Sequence, residues 1–316
     1  LNTQPSSQPH PPRLSLRSRQ LTELPANTAE LLDLEELNLD LNRLERLPGW
    51  LGNLKRLRLL SLYSNRLTSL PEEVWGLRNL ETLNLADNCF EELPESLGHL
   101  KNLKMLDLGH NRLKDLPASL GELRSLAFLY LSNNELTRLP EDLANLKDLV
   151  YFNATDNRLE ELPGGFGGLE RLVELRLYRN RLRCLPSEFG SLTRLREAHL
   201  MGNKLASLPP EIGALRDLRK LMLEDNPLEN LPEEIGGLHA LTDLDLRGCR
   251  LGRLPAALCD LKNLRFLDLR ANRLEELPVG IADLPALEKL DLRWNPLPGK
   301  PAWAEKLEAR GCLVYI

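Results

Sequence analysis

Leu264-Arg-Phe-Leu-Asp-Leu-Arg-Ala-Asn-Arg-Leu-Glu-Glu-Leu-Pro278 is one copy of a phrase that runs through nearly the whole chain. Its asparagine, Asn272, belongs to a series at positions 42, 65, 88, 111, 134, 157, 180, 203, 226, 272 and 295, a constant step of 23 residues. Only position 249 breaks the series, with Cys249. The proline that closes the phrase keeps the same step from Pro25 to Pro278. A fixed period of this length, free of insertions, predicts a solenoid, because one such coil cannot bury its own apolar face and must stack on its neighbours.

In each copy a Leu-x-Leu pair, such as Leu37 with Leu39 or Leu290 with Leu292, alternates with polar residues, as a strand buried on one side requires. About thirteen such strands stacked in register, at about 4.8 Å each, make a parallel sheet on the order of 60 Å along its stacking direction. The other half of the copy, for example residues 232–238, sets Ile235 and Leu238 three apart, the spacing of a single helical or 3₁₀ turn returning along the back. Back segments wider than the strand spacing bend the array with the sheet inside, so the concave sheet is the expected binding face. Two irregularities stand out: Phe152 with Ala154 replaces one leucine pair, and Ala198 replaces one leucine with no larger partner in its own strand. The asparagines read as scaffold, since a short amide carries both the donors and the acceptor that peptide groups stranded at a sharp turn require.

The phrase LxxLxLxxN/CxL followed by xxLPxxLxxL resembles the leucine-rich repeat family, over about residues 14–297. The 23-residue length and the Leu-Pro element are similar to the intracellular subclass found in Ras-binding scaffolds, plant Ras-group repeat proteins and many bacterial proteins. The resemblance implies an α/β fold: a curved horseshoe solenoid with a parallel sheet on the concave face and short helical or 3₁₀ turns on the convex face. It implies a non-catalytic recognition scaffold for a protein or peptide, with a small GTPase or a signalling enzyme as the partner class. Two further functions fit the same resemblance. One is the substrate-recognition region of a larger effector, as in bacterial effectors that join such repeats to a ubiquitin ligase, and the other is a receptor ectodomain fragment.

Outside the array, residues 1–13 hold Pro5, Pro9, Pro11 and Pro12 among Ser and Gln and read as a disordered tail. A degenerate first repeat starts at Leu14 and carries Arg19 where the asparagine would stand, with twelve fuller repeats after it up to Leu297. Residues 298–316 read as a cap at the array's natural end, a helix over residues 301–310 with Trp303 and Leu307 on its apolar side and a short strand from Cys312. The first residue is Leu1, which leaves open a signal peptide or another domain upstream.

The 41 basic and 46 acidic residues give a formal charge of −5, no basis for a polyanion-binding surface, and nucleic acid is not an expected partner. No apolar run is long enough to span a membrane. Five scattered cysteines, at 89, 184, 249, 259 and 312, form no flanking cluster and favour a reducing compartment, so a cytoplasmic location is expected.

Catalytic candidates are poor. His110 and His199 sit four repeats apart, about 19 Å by strand spacing, too far for one site. Gly164-Gly165-Phe166-Gly167-Gly168 lacks the strand-before, helix-after context of a phosphate cradle and reads as a permissive back loop. No cofactor or resident metal is expected. The informative residues are the apolar ones expected on the concave face: Tyr63, Tyr130, Tyr151 and Tyr178, joined by Leu59, Met105, Phe128, Met201 and Met222, with Arg176 and His199 alongside. Exposed aromatics with Met and Arg are the stuff of protein-binding hot spots. A secondary polar patch is expected where Asp245, Asp268 and Asp291 run parallel to Arg247, Arg270 and Arg293 in three successive repeats, most simply a self-neutralising charge lattice.

Overall fold

The computed structural model describes residues 12–299 and 301–316; most of the proline-rich tail therefore lies outside the described residues, and its last residue, Arg13, belongs to a strand. Among the described residues, fourteen strands of three residues form one parallel sheet in strict sequence order. They are β1 (Arg13–Ser15), β2 (Glu36–Asn38), β3 (Leu59–Ser61), β4 (Thr82–Asn84), β5 (Met105–Asp107), β6 (Phe128–Tyr130) and β7 (Tyr151–Asn153). There follow β8 (Glu174–Arg176), β9 (Glu197–His199), β10 (Lys220–Met222), β11 (Asp243–Asp245), β12 (Phe266–Asp268), β13 (Lys289–Asp291) and β14 (Leu313–Tyr315). From β1 to β13 each residue pairs with the one 23 positions on, as Leu106 does with Leu129. The last step is longer by one, Leu290 opposite Val314, because the helix α1 (Ala302–Glu308) replaces the usual turn.

Each repeat returns along the back through a five-residue 3₁₀ turn such as Glu233–Gly237. The Leu-Pro proline precedes the turn, where its lack of an N–H costs nothing and its fixed φ leads the chain in. Between sheet and turns lies a continuous file of leucines, Leu60, Leu83, Leu106 and Leu129 among them, with no exposure at all. Phe152, Phe166 and Phe189 interrupt it as an aromatic file, ring centroids 6.2 and 6.4 Å apart, and their added volume offsets the neighbouring Ala154 and Ala198.

The asparagine ladder bonds as its chemistry demands. Asn157 Nδ2 donates to the carbonyls of Leu131 at 2.8 Å, Ala154 at 3.1 Å and Thr155 at 3.2 Å, and its Oδ1 accepts the Leu136 N–H at 3.0 Å. One amide thus ties its own turn to the preceding repeat. At the exception, Cys249 Sγ lies 3.5 Å from the Leu223 carbonyl, and the N–H of Leu228, whose counterparts meet an amide oxygen, faces a thiol. Burial pushes that thiol up to about 12, so it stays neutral. Cys249→Asn is expected to raise stability by about 1 kcal/mol, the net worth of a hydrogen bond made to a waiting partner. A melting temperature that falls instead would mean the site has closed around sulfur.

The four-glycine run around Phe166 proves less permissive than its composition implies. It forms the turn Gly164–Gly168, and a Cβ on Gly167 would fall 2.1 Å from the Glu188 carbonyl oxygen of the next turn. Gly52, Gly98, Gly121, Gly190, Gly213 and Gly236 occupy the same place in their repeats, and across all seven a Cβ would come within 2.1 to 2.8 Å of an atom in the following turn. The missing side chains are what let successive turns close up.

Candidate concave recognition face

Three columns of side chains face the concave side, at the first and third strand positions and two residues beyond. The first column brings Met105, Phe128 and Tyr151 side by side on β5, β6 and β7. The second places Tyr130 beside them, its ring centroid 5.0 Å from that of Tyr151 and tilted by 37°. Burial raises both phenols above their ordinary range. Arg176 on β8 sets its guanidinium 5.8 Å from the Tyr151 ring centre and donates from Nε to Glu174 at 2.6 Å. Phe128 remains 41% exposed, an apolar ring open to a partner.

The other expected residues fall around this centre. Tyr63, Tyr178 and Met201 lie two residues past their strands, in the third column. Tyr178 takes the Arg179 guanidinium at 5.9 Å. His199 and Met222 continue the second column on β9 and β10. Leu59 and Tyr63 stand apart from Met105, across β4 with its Thr82 and Asn84. The expected patch is therefore a compact aromatic centre on β5 to β8 with an outlying pair toward the N-terminal repeats.

Around His199 the sheet gathers charge. Glu174, Glu197 and His199 each offer a ligand atom, all within 4.8 Å of one another, the spacing an ion would use. Each carboxylate already has a cation: Arg176 on Glu174, and Lys220 Nζ 3.0 Å from Glu197 Oε1, with His199 Nε2 3.2 Å from Oε2. Burial acts to raise the Glu197 carboxyl, but Lys220 and His199 outweigh it and hold it below its ordinary range. The group is a charge network between strands, and sequence reasoning missed it because its members come from adjacent repeats.

The polar patch forms a lattice, with one departure. Arg270 Nε donates to Asp268 at 2.9 Å and lies 3.6 Å from Asp291, and Arg293 Nε donates to Asp291 at 2.9 Å. Asp291 is wholly buried; burial alone would raise its carboxyl, but Arg293 and Arg270 hold it below the ordinary range. Arg247, however, pairs with Glu224 of the preceding repeat and leaves Asp245. Asp245 keeps one side-chain bond among the described residues, accepting the Arg247 N–H at 2.9 Å, and burial pushes its carboxyl up. Asp107, in the same column on β5, is likewise raised by burial and accepts only the Gly109 N–H among the described residues. Phe266, 37% exposed and opposite Asp243 on the neighbouring strand, joins this group and lies outside the apolar set expected from the sequence.

Coils tied in register by an amide ladder, with one face carrying a patterned set of side chains, define a β-solenoid built for surface recognition. The chain belongs to the leucine-rich repeat family: a model described as a leucine-rich repeat region matches residues 49–129, 118–221 and 209–309. It is similar to the solved structure of a leucine-rich repeat protein of Leptospira interrogans, with 37% identity, a TM-score of 0.87, and coverage of 94% of this chain and 76% of that one. It is also similar to the plant peptide hormone receptor RGFR1 in complex with RGF2, at 28% identity and a TM-score of 0.76, covering 86% of this chain and 46% of the receptor. An internalin of Listeria monocytogenes shares the fold at 22% identity and a TM-score of 0.79, over 96% of this chain and 86% of that one. The search against curated proteins found no match. No helix among the described residues is long and apolar enough to cross a membrane.

Proposed function

We propose that the chain is a non-catalytic recognition module that binds a protein or peptide on its concave sheet, anchored by Phe128, Tyr130 and Tyr151 with Met105 and Arg176 at their flanks. The observation that carries this is the contiguity of the aromatic centre: three rings, a methionine and a guanidinium on four adjacent strands. Such a patch on a rigid sheet reduces the ordering cost of binding and supplies the residue types that dominate interfaces. A plant family relative solved with its RGF2 ligand supports the general role. Five free cysteines fit a reducing, cytoplasmic setting, where a small GTPase or a signalling enzyme is the partner class that the repeat subclass suggests.

Affinity capture with the whole chain beside a Tyr130→Ala/Tyr151→Ala double variant tests this. A partner held by the unaltered chain is expected to bind the variant about 30-fold or more weakly, the loss of at least one hot-spot anchor of about 2 kcal/mol. Both proteins should melt cooperatively, since the rings sit on the face and outside the leucine core. Equal capture by the folded variant would refute the assignment of the patch.

A further inference from the structure

Toward the C-terminal repeats the concave face opens into a cavity of about 180 Å³ between Met222 of β10, Asp243 and Asp245 of β11 and Phe266 of β12, with Asp268 behind. The lining combines apolar walls with carboxylates, and the nearby cations are each engaged: Arg265 pairs with Glu288 at 2.7 Å and covers one side of the Phe266 ring, 5.1 Å from its centre. Arg247 holds Glu224, Arg270 holds Asp268, and the Lys289 ammonium sits over the Tyr315 ring, 5.6 Å from its centre. Asp245 Oδ1 accepts the Arg247 N–H, and Asp243 Oδ2 accepts the Thr242 hydroxyl at 2.6 Å. Neither carboxylate has an ion-pair partner among the described residues, although Asp268 and Asp291, the next two members of the second column, both do. A half-buried carboxylate held above its ordinary range by burial, with no cation in contact, costs the free protein stability that a bound cation would return.

We propose that this cavity is a subsite for an arginine side chain of the partner. The guanidinium is planar and always charged, and its fork can address the free oxygens of Asp243 and Asp245 together. Its aliphatic stem matches the apolar walls of Met222 and Phe266. The space suffices, since an enclosed cavity of roughly 150 Å³ holds a benzene molecule. The assignment rests on the concave sheet being the recognition face. It adds the chemistry of one of the partner's contacts: a basic residue seated on β11, six strands beyond Met105 on the C-terminal side of the aromatic patch.

The chain's three methionines make the test direct, because Met222 borders the cavity and Met105 does not. The 316-residue chain, labelled with ¹³C at the methionine methyls, is titrated with N-acetyl-argininamide and, in parallel, with N-acetyl-citrullinamide, its uncharged isostere. The Met222 methyl resonance is expected to move and saturate with the arginine compound and to stay with the citrulline one. Asp245→Asn, which keeps the oxygen that accepts the Arg247 N–H, is expected to weaken the arginine effect tenfold or more, the worth of one charge-assisted hydrogen bond. Met105, which neighbours the unpaired Asp107 and borders no part of this cavity, reports attraction to a carboxylate alone. A still Met222, a citrulline response equal to that of arginine, an unaltered titration in folded Asp245→Asn, or a Met105 shift equal to that of Met222 would each overturn the proposal. The titration uses no natural partner, so its failure would leave the tyrosine patch standing, and failed capture would leave this subsite standing.

Discussion

Asn157→Ala is expected to lower stability by about 1–3 kcal/mol, because the substitution strands buried peptide groups that no neighbouring atom can reach. The amide makes three donor contacts and one acceptor contact in a site that is 7% exposed. Two of its partners, the Leu131 carbonyl and the Leu136 N–H, belong to the preceding repeat, so the damage falls on an interface between coils. In a stack where each coil touches only its neighbours, a weakened internal interface lowers the cooperativity of the whole. A thermal melt of Asn157→Ala should therefore shift down and broaden. A melt superimposable on that of the unaltered chain would show that the ladder is decorative.

Gly167→Ala and Gly164→Ala form a matched pair with opposite expectations. A methyl on Gly167 meets the Glu188 carbonyl oxygen at 2.1 Å, a backbone atom that cannot swing aside, and the repair must separate two turns. Overpacking of this kind costs about 1–3 kcal/mol, occasionally more. Gly164, three residues earlier in the same turn, meets nothing within 4 Å. Alanine there trims the freedom of the unfolded chain and should be neutral or stabilising by about 0.4–1 kcal/mol. Urea midpoints of the two variants, measured side by side, are expected to move in opposite directions or at least to differ by most of the Gly167 cost. Equal midpoints would remove close approach as the reason for the glycine series.

The fold was open to inspection in the primary structure because its determinants are periodic. The 23-residue step of asparagine and proline sets the register that the sheet adopts, and the leucine alternation tells which side chains turn inward. The site was less visible, for reasons of geometry. An Asp and an Arg two residues apart can pair within one strand, as Asp268 and Arg270 do, or the Arg can reach the preceding repeat, as Arg247 does to Glu224. Spacing alone favours neither, so the unpaired state of Asp245 becomes evident only in three dimensions. Phe266 is legible from the period alone: it lies six periods from Phe128, in the same column, amid a repeat whose other concave positions are charged. The glycine series has the same period, but its purpose is a close approach between turns, which composition renders as looseness.

The twelve junctions from β1 to β13 are near copies of one another, each a step of 23 residues with no inserted loop. Such a body has a compliance that adds in series, like the leaves of a spring: a rotation of ~1° at every one of these junctions turns one end by ~12° relative to the other while no single contact is much disturbed. A guest spanning the aromatic centre and the acidic cavity could therefore adjust the breadth of its seat at small local strain, and the distance between its two footholds would be set jointly by guest and host.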